Sequence, residues 1–350
     1  MAHMDLDCFY AAVEELLDSS LRGKPVAVVM GLDPQGHGAV TTASYAARAF
    51  GVRSALPLST ARQLCPDLIV LPVRHGLYRQ YSAQVMALLR ELSPLMQQLS
   101  IDEAFVELTG QADALALVQR VSRRVQQEIG LSCSFGVATS KLVAKIATDQ
   151  GKPRGFVVVP PGDEARFLSP LPVEVLWGVG PRTAARLRDL GIATLGVLAA
   201  TDPATLSPVF GPRRAMDLSA GARGIDDAPL LLDQRSKSIS AEQTLGAGER
   251  DRRRLWALYQ QMADDLARRL QGQGLVARTV GIKLRYNDWR LVTRDRTLSH
   301  GVDDAGRIAT VAAELMRNHW QRGVPVRLLG LRVSGLAPRP PADQLPLFPT

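Results

Sequence analysis

The sequence of 350 residues is poor in the side chains that build disulfide frameworks and zinc sites. Its three cysteines, Cys8, Cys65 and Cys133, are scattered, and its five histidines show no zinc-ligand spacing with them. An odd number of separated thiols fits a reducing compartment better than a disulfide-stapled fold, so we expect a cytoplasmic location.

Long apolar runs are also missing. No stretch reaches the length that spans a membrane, and the chain does not open on a signal-peptide pattern, so no membrane partner is expected. A hydrophobic content of 46% with 22% charged residues is typical of globular proteins. A chain of this length exceeds one ordinary core, which predicts several domains.

The net charge of +8 is unevenly distributed. Residues 235–338 contain 19 basic and 10 acidic side chains, a net charge of +9, whereas residues 1–234 contain 22 and 23. A phosphate-rich partner explains a basic excess confined to one region. Charge alone is explained equally well by an ordinary solvated surface.

A pair of adjacent carboxylates, Asp102 and Glu103, interrupts the strand-prone run 100–108. Neighbouring residues of a regular strand point to opposite faces, so both can serve one site only if the backbone bends there, as at a hairpin turn. A second pair, Asp5 and Asp7, lies near the N-terminus, and a strand would place both on one face.

These two acidic runs, placed side by side, would form an oxygen-rich cage of the kind that Mg²⁺ prefers. Either run alone is better explained as a solvated strand end. The context of the whole chain favours the cage.

The periodicity of the chain divides it into regions. Strands alternate with helices up to about residue 163, residues from Leu171 to about 233 look helical, and a βαββαβ order follows over 241–338. The first helix is predicted over Tyr10–Leu21, with Val13, Leu16 and Leu17 on one side. The tail beyond Pro338 is rich in proline and is expected to be disordered.

A glycine-containing turn occurs in the helical region, over 176–187. Gly178 and Gly180 would let this turn approach a phosphate closely, and Pro181 suits the first position of the next helix. Free N–H groups at that helix start can bind a phosphate. The pattern is typical of a helix-hairpin-helix, although an ordinary turn between two helices has similar features.

Four ordered motifs resemble those of the Y-family DNA polymerases, and most closely the bacterial DinB type. They are Asp5-Leu6-Asp7-Cys8-Phe9-Tyr10-Ala11, Thr42-Ala43-Ser44-Tyr45-Ala46-Ala47-Arg48, Ser100-Ile101-Asp102-Glu103-Ala104 and Ala144-Lys145-Ile146-Ala147. The resemblance extends from Asp5 to Phe348. Only four residues precede Asp5, fewer than the family usually has there, which puts the strength of the first strand in doubt.

The resemblance implies a multidomain α+β fold shaped like a right hand. Its expected divisions are a palm (1–15 and 75–163), inserted fingers (16–74), a helical thumb with the helix-hairpin-helix (164–233), a linker (234–240), a βαββαβ little finger (241–338) and a tail (339–350).

The same resemblance implies a two-metal centre for nucleotidyl transfer. Asp5, Asp102 and Glu103 are the expected catalytic metal ligands, with the backbone carbonyl of Leu6 as a further ligand and Asp7 as a weaker candidate. Two Mg²⁺ ions are implied, with Mn²⁺ able to substitute.

The implied nucleotide-binding residues come from both sides of the site. Thr42, Tyr45, Arg48 and Lys152 are expected to bind the triphosphate, and Tyr45 and Arg48 share a helix face at i and i+3. Tyr10 matches the steric gate that excludes ribonucleotides. Lys141 and Lys145 are weaker candidates for binding the triphosphate, with a position that only faces DNA as the alternative.

Two further sets of residues are implied to bind partners. Primer–template DNA is expected to contact the thumb turn and the linker, at Gly178, Gly180, Arg182, Arg235 and Lys237. The C-terminal peptide resembles a short sliding-clamp ligand, through Gln344, Leu345, Leu347 and Phe348. A monomer is expected.

The implied function is template-directed DNA synthesis from dNTPs, with low fidelity, lesion bypass and no segment for a proofreading exonuclease. A nucleotide cyclase also combines paired carboxylates with two metals, but it needs neither a DNA-binding hairpin nor a basic appended domain. A purely DNA-binding or structural protein would keep the hairpin and lose the acids, which are all present here.

Overall fold

The structure is a computed structural model that describes residues 1–33, 36–232 and 236–340. The chain divides into two units, Met1–Leu232 and Asp233–Thr350. Among the described residues, no helix has both the length and the apolar character needed to cross a bilayer. All three cysteines are buried free thiols.

The first unit alternates strands and helices before it becomes helical. In chain order its elements are β1 (Ala2–Leu6), α1 (Phe9–Leu17), β2 (Val26–Met30), β3 (Ala39–Ala43), α2 (Tyr45–Ala49), α3 (Leu58–Leu64), β4 (Ile69–Pro72), α4 (His75–Arg90), β5 (Met96–Gln98), β6 (Glu103–Val106), α5 (Ala114–Arg124), β7 (Cys133–Val137), α6 (Lys141–Gly151), β8 (Phe156–Val158), α7 (Glu164–Leu168), α8 (Pro181–Asp189), α9 (Leu195–Ala200), α10 (Pro203–Phe210) and α11 (Pro212–Ala222).

The N-terminal strand β1 is the central strand of a five-stranded sheet with the order β5-β6-β1-β7-β8. It pairs antiparallel with both β6 and β7. Although only four residues precede Asp5, the first strand is therefore fully formed. All other strands of this sheet come from beyond residue 95. The intervening α/β segment is therefore an insertion, as the right-hand fold requires.

The inserted segment has its own sheet and core. Strand β2 lies between β3, which is antiparallel to it, and β4, which is parallel. Buried aliphatic side chains of this sheet pack against α2 and α3, which gives the segment a core separate from that of the five-stranded sheet.

Helix α6 packs closely on strand β7 because of one glycine. A Cβ built on Gly136 would lie 2.1 Å from the carbonyl oxygen of Ala144, so no larger residue fits there. On the same face of α6, the buried hydroxyl of Thr148 lies 2.9 Å from Nδ1 of His3 in β1. The helix that carries Lys145 is thereby fixed against the centre of the sheet.

The predicted first helix is too long at its C-terminal end. The helix ends at Leu17, whose side chain is 50% exposed. The reason is local: Asp18 adopts an extended conformation and its side chain accepts the N–H of Ser20, which starts a separate 3₁₀ turn over Ser19–Leu21.

The second unit contains β9 (Ser238–Glu249), α12 (Arg252–Gly272), β10 (Leu275–Tyr286), β11 (Leu291–Val302), α13 (Ala305–His319) and β12 (Val326–Pro338). This is the predicted βαββαβ order. The sheet has the order β11-β10-β12-β9, all antiparallel, and its buried side chains form one core with α12 and α13.

Two strand limits in this unit differ from the prediction. Strand β9 begins at Ser238, inside the predicted linker, because Ser238 already pairs with Ser334 of β12. Strand β11 is also longer than the periodicity of its residues indicates, since Val302 pairs with Ala277 beyond an irregularity in the ladder. Both differences come from pairing with distant strands, which local sequence does not report.

Candidate active site

Three carboxylates converge where β1 and β6 meet. Asp5 and Glu103 are direct cross-strand partners, and the carbonyl of Asp102 accepts the N–H of Leu6 at 3.0 Å. The chain turns between β5 and β6, where the N–H of Leu99 donates to the carbonyl of Glu103 at 3.0 Å. The bend predicted from the adjacent carboxylates is therefore present.

Asp5 has a pKa above the ordinary value of an aspartate. Burial raises its pKa to about 6, and the charge of Asp102 acts in the same direction. Lys152 opposes this shift, since its Nζ lies 2.7 Å from Oδ2 of Asp5 and 2.8 Å from Oδ1 of Asp149. An added cation near Asp5 would favour the ionised carboxylate further.

Glu103 has the opposite behaviour. The His3 ring and the Lys145 ammonium hold its pKa at about 2, although burial opposes them. Lys145 is the closer partner, with Nζ 2.6 Å from Oε2 of Glu103, while Nε2 of His3 lies 3.4 Å from the same oxygen. Burial lowers the pKa of His3, so its ring is neutral at pH 7.

Asp7 lies just beyond the strand that carries Asp5, and its carboxylate is hydrogen-bonded to Ser134, the cross-strand partner of Asp5. Strand β1 ends at Leu6, so the alternation rule stops one residue before Asp7. Its buried carboxylate accepts the Ser134 hydroxyl at 2.8 Å and the Arg154 N–H at 2.9 Å, and the Tyr45 hydroxyl lies 3.4 Å away. These contacts make Asp7 a structural residue.

We expect Asp7→Ala to lower the free energy of unfolding by about 2–3 kcal/mol, because it leaves a buried hydroxyl and a backbone N–H without their charged acceptor. Urea unfolding followed by circular dichroism measures this loss. The exposed Asp67 is the matched control, and Asp67→Ala should change the free energy by less than about 0.5 kcal/mol. Equal effects of the two substitutions would contradict the structural role of Asp7.

Two of the three acids, Asp5 and Asp102, and the predicted phosphate-binding residues line one cavity of about 190 Å³, whereas Glu103 does not contribute to its lining. Its floor includes Asp5, Asp102 and the Leu6 backbone region, and its other side is formed by the inserted segment. The predicted residues that contribute to this lining are Asp5, Leu6, Thr42, Tyr45, Arg48, Asp102 and Lys152. The fold therefore brings acids from one sheet to cationic and hydroxyl groups from another.

Tyr45 and Arg48 lie on one face of α2, as their spacing predicts. Ser44 caps this helix by accepting the N–H of Ala47. The Arg48 guanidinium carbon lies 5.1 Å from the centroid of the Tyr45 ring, and Nε of Arg48 donates to the carbonyl of Ala43 at 3.0 Å. Burial and the charge of Asp7 raise the pKa of Tyr45, so its hydroxyl stays a proton donor.

Tyr10 lies at the start of α1, beside the cavity. Its ring stacks on that of Tyr78 with centroids 4.0 Å apart and an interplanar angle of 13°. The preceding residue, Phe9, contributes to the cavity lining itself. Burial and the charge of Asp102 raise the pKa of Tyr10. The Tyr10 hydroxyl therefore experiences the negative charge of Asp102.

Lys141 and Lys145 both contact groups of the protein itself. Lys141 is buried, and its Nζ donates to the carbonyl of Pro229 at 2.7 Å and lies 5.9 Å from the centroid of the Phe105 ring. Lys145 is bound to Glu103.

The predicted DNA-binding turn is held by Arg214, a contact that the sequence did not indicate. Gly178 has a φ of +86°, and its carbonyl accepts Nη2 of Arg214 at 2.6 Å. Gly180 precedes α8, and Arg182 is exposed in the first turn of that helix. The helix before this turn is only a 3₁₀ segment, Val173–Val175.

The remaining predicted residues are those of the linker and of the clamp-binding peptide. Lys237 is exposed immediately before β9. Arg235 and the four clamp-peptide residues lie outside the described part of the chain, at positions 235, 344, 345, 347 and 348.

Sequence reasoning also missed the residues that hold the acids in place, namely His3, Ser134 and Asp149. One signal could have found His3, since it lies two residues before Asp5 and so on the same face of β1. Ser134 and Asp149 reach the site only through strand pairing and helix docking.

Within residues 1–33, 36–232 and 236–340, no group of three or more His, Cys, Asp or Glu side chains is arranged to enclose a metal as it stands. The lysine contacts give the reason, since Lys152 and Lys145 already neutralise Asp5 and Glu103. The donor set itself, three carboxylates beside a backbone carbonyl, consists of the hard oxygens that divalent cations prefer.

Three sequence families match successive parts of the chain. The impB/mucB/samB family matches residues 4–149, the IMS family HHH motif matches residues 161–192, and the impB/mucB/samB family C-terminal domain matches residues 236–347. These ranges contain most of the five-stranded sheet with its insertion, the glycine turn, and the βαββαβ unit.

Relatives match over nearly the whole chain. DNA polymerase IV of Halorhodospira halophila is 43% identical, over 96% of this chain and 95% of the relative. DNA polymerase IV of Streptomyces coelicolor is 42% identical, over 96% of this chain and 70% of the relative.

Solved structures agree with these relatives. A Y-family DNA polymerase chimera of Dbh and Dpo4 superposes with a TM-score of 0.86 at 26% identity, covering 97% of this chain and 99% of the other. An insertion ternary complex of Dbh DNA polymerase gives 0.69 at 26% identity, with the same coverage.

The chain therefore belongs to the Y-family DNA polymerases, of the DinB type. Members of this family are low-fidelity DNA-directed DNA polymerases of translesion synthesis, and they depend on divalent metal ions.

Proposed function

We propose that the cavity between the five-stranded sheet and its inserted segment is the site of nucleotidyl transfer from dNTPs to a primer 3′-hydroxyl. The observation that carries this proposal is the lining of one cavity by Asp5 and Asp102 on one side and by Thr42, Tyr45 and Arg48 on the other. Acids that attract cations thus face groups that bind phosphates, across a space suited to a triphosphate.

Asp5, Asp102, Glu103 and the Leu6 carbonyl would hold two Mg²⁺ ions, with Mn²⁺ able to replace them. Such a pair of cations stabilises the charge on the attacking and leaving oxygens of an in-line displacement. The low pKa of Glu103 keeps its carboxylate ionised at every physiological pH. Asp5 is half ionised near pH 6 and mostly ionised at pH 7.

The cationic residues of the cavity would bind the triphosphate. Arg48 is held by its contact with the Ala43 carbonyl, which leaves its terminal nitrogens to donate to phosphate oxygens. Lys152 pairs with Asp5 in the free protein. When a triphosphate binds, the ammonium group of Lys152 would pair with the phosphates instead. The hydroxyl groups of Tyr45 and Thr42 would donate further hydrogen bonds to the triphosphate.

We assign the palm, fingers, thumb and little finger to the residue ranges given above, with the linker shortened by the early start of β9. Primer–template DNA would contact Gly178, Gly180 and Arg182 in the thumb and Arg235 and Lys237 before the little finger. The support for the thumb contact is the open space around Gly180, where an added Cβ would meet no atom within 4 Å. A monomer is proposed, which sedimentation equilibrium can test.

Primer extension with dNTPs and Mg²⁺ on a template tests this function directly. A nucleotide cyclase would instead release a cyclic nucleotide from a single triphosphate without DNA. Template-dependent extension supports the polymerase. Cyclic product without extension would overturn it.

We expect Tyr10→Ala to raise the ratio of ribonucleotide to deoxyribonucleotide incorporation by about tenfold or more, because the stacked ring would collide with a ribose 2′-hydroxyl. The stack on Tyr78 supports this role, since it holds the ring in one orientation. Single-nucleotide kinetics measures the ratio. Tyr10→Phe keeps the ring and should keep the ratio. An unchanged ratio in Tyr10→Ala would leave Tyr10 as a packing residue only.

We also propose that the C-terminal peptide Gln344-Leu345-Pro346-Leu347-Phe348 binds a sliding clamp. An extended peptide can dock apolar anchors in a surface pocket, with Leu347 and Phe348 as anchors and Gln344 as a polar contact. The prolines that precede it reduce the entropy lost on docking.

Removal of residues 344–350 should leave extension of a short primer unchanged and abolish the gain in product length on adding clamp and loader. Gel analysis of product lengths measures both. Replacing Gln344 alone should give an intermediate loss. A truncated enzyme that gains as much from the clamp as the intact one would show that the peptide is not the contact.

A further inference from the structure

The turn between β10 and β11 carries an exposed tryptophan where the backbone favours glycine. The Tyr286 carbonyl accepts the N–H of Trp289 at 3.0 Å, and the Tyr286 N–H donates to the Arg290 carbonyl at 3.0 Å. Trp289 closes this turn in the left-handed region, with a φ of +66°. Hairpins of this form usually place glycine at that position, and a bulky residue there is uncommon. The ring is nevertheless 64% exposed.

Two arginines lie against this ring. The guanidinium carbon of Arg327 is 4.8 Å from the Trp289 ring centroid, and that of Arg285 is 5.9 Å away. Arg285 is in β10 and pairs with Leu328, the residue after Arg327 in the neighbouring strand β12. The three side chains therefore form one cluster, which we call the Trp289 cluster, at the turn end of the sheet.

The arginines of the Trp289 cluster lack the acidic partners that other cations of this sheet have. Lys283 binds Glu242 at 2.9 Å, and Arg332 binds Asp295 at 2.7 Å. Across residues 236–340, by contrast, neither Arg285 nor Arg327 makes a hydrogen bond or ion pair with any described group, and the Nε of Arg285 is buried without an acceptor. Their charge is left to attract an external anion.

Single-stranded DNA offers both groups that the cluster lacks. An unpaired base presents a planar face that stacks on an aromatic ring, and the adjacent phosphates pair with arginine. Bases inside a duplex are already stacked on each other and cannot reach an exposed side chain without being unpaired. An acidic peptide would satisfy the arginines and leave the indole face without a planar partner.

We propose that Trp289, Arg285 and Arg327 form a binding site for single-stranded DNA, in which an unpaired base stacks on the indole and its phosphates pair with the arginines. This site rests on the proposed polymerase function, since a template strand beyond its primer is such a ligand. The unfavourable backbone conformation of Trp289 is then retained because the position places the ring beside both guanidinium groups.

The test compares full-length variants on a short oligothymidylate and on a blunt duplex of equal phosphate number. Trp289→Ala should weaken oligothymidylate binding about tenfold, the effect expected for loss of one stacked base. Binding of the blunt duplex should stay within about twofold. Trp289→Phe keeps a ring and should lose less than about threefold. Leu291→Ala, which removes an exposed apolar side chain two residues away, is the matched control and should bind both ligands like wild type.

Tryptophan emission gives a second readout. Oligothymidylate should quench the emission of the wild type, and Trp289→Phe should remove that component of the quenching. Equal weakening on both ligands, or none, would overturn the proposal, as would competition by polyglutamate as effective as that by oligothymidylate at equal charge. If the wild type extends primers, the polymerase function stands even where these outcomes reject the single-stranded DNA site. If the wild type does not extend primers, the polymerase function itself is contradicted.

Discussion

Asp102→Ala and Glu103→Ala should each lower the rate of primer extension by about a thousandfold or more, while primer–template binding stays within about threefold. Two cations at a phosphoryl centre stabilise the transition state by several kcal/mol, and each 1.4 kcal/mol corresponds to tenfold in rate. The bend between β5 and β6 exists to bring these two carboxylates to one site, because a straight strand would separate them. Single-turnover extension and filter binding measure the two quantities.

The matched control for these variants is Glu91→Gln. Glu91 is a carboxylate of the same unit whose side chain is 55% exposed and pairs with Arg124 rather than with a residue of the site. It should extend primers at the wild-type rate. Substantial extension by Asp102→Ala or Glu103→Ala would remove the two-metal mechanism, and loss of DNA binding by the same variants would point to a folding defect instead.

The second large effect concerns the little finger. A chain that ends at Leu232 should bind primer–template at least about a hundredfold more weakly at low salt, because it loses the region with a net charge of +9. The slope of log affinity against log salt should fall by about 0.9 for each phosphate that the deleted unit contacts. Titration at several salt concentrations measures both.

A chain that ends at residue 340 is the control for this deletion, since it removes only the tail. Its affinity and salt slope should match those of the full chain. Equal slopes for the chain that ends at Leu232 and the full chain would mean that the basic excess is an ordinary solvated surface.

The sequence predicted the architecture well where local pattern decides it. The order of elements, the insertion after β1 and the βαββαβ unit follow from periodicity and from the four motifs. Helix α1 was extended too far because a single residue, Asp18, ends it and starts a new turn. The early start of β9 could not be predicted, since it depends on pairing with β12, almost a hundred residues away.

The site was predicted in part for a similar reason. The residue types of Asp5, Asp102 and Glu103 pointed to metal chemistry, and the structure places two of these acids in one cavity with the predicted phosphate-binding side chains. Asp7 lies one residue beyond β1, so alternation within a strand does not decide its contacts. The partners of the acids, His3 and Lys145, are set by how α6 packs on the sheet, which no local pattern reports.

The position of β1 between β6 and β7 has a consequence for synthesis of the protein. During translation, the strand that carries Asp5 emerges first, but both neighbours that hold it come more than 95 residues later. Long-range pairing of this kind is slow, and nascent chains fold only as their partners appear. A nascent chain that stops before residue 133 already contains all three acids but lacks β7, so its central strand has an open edge.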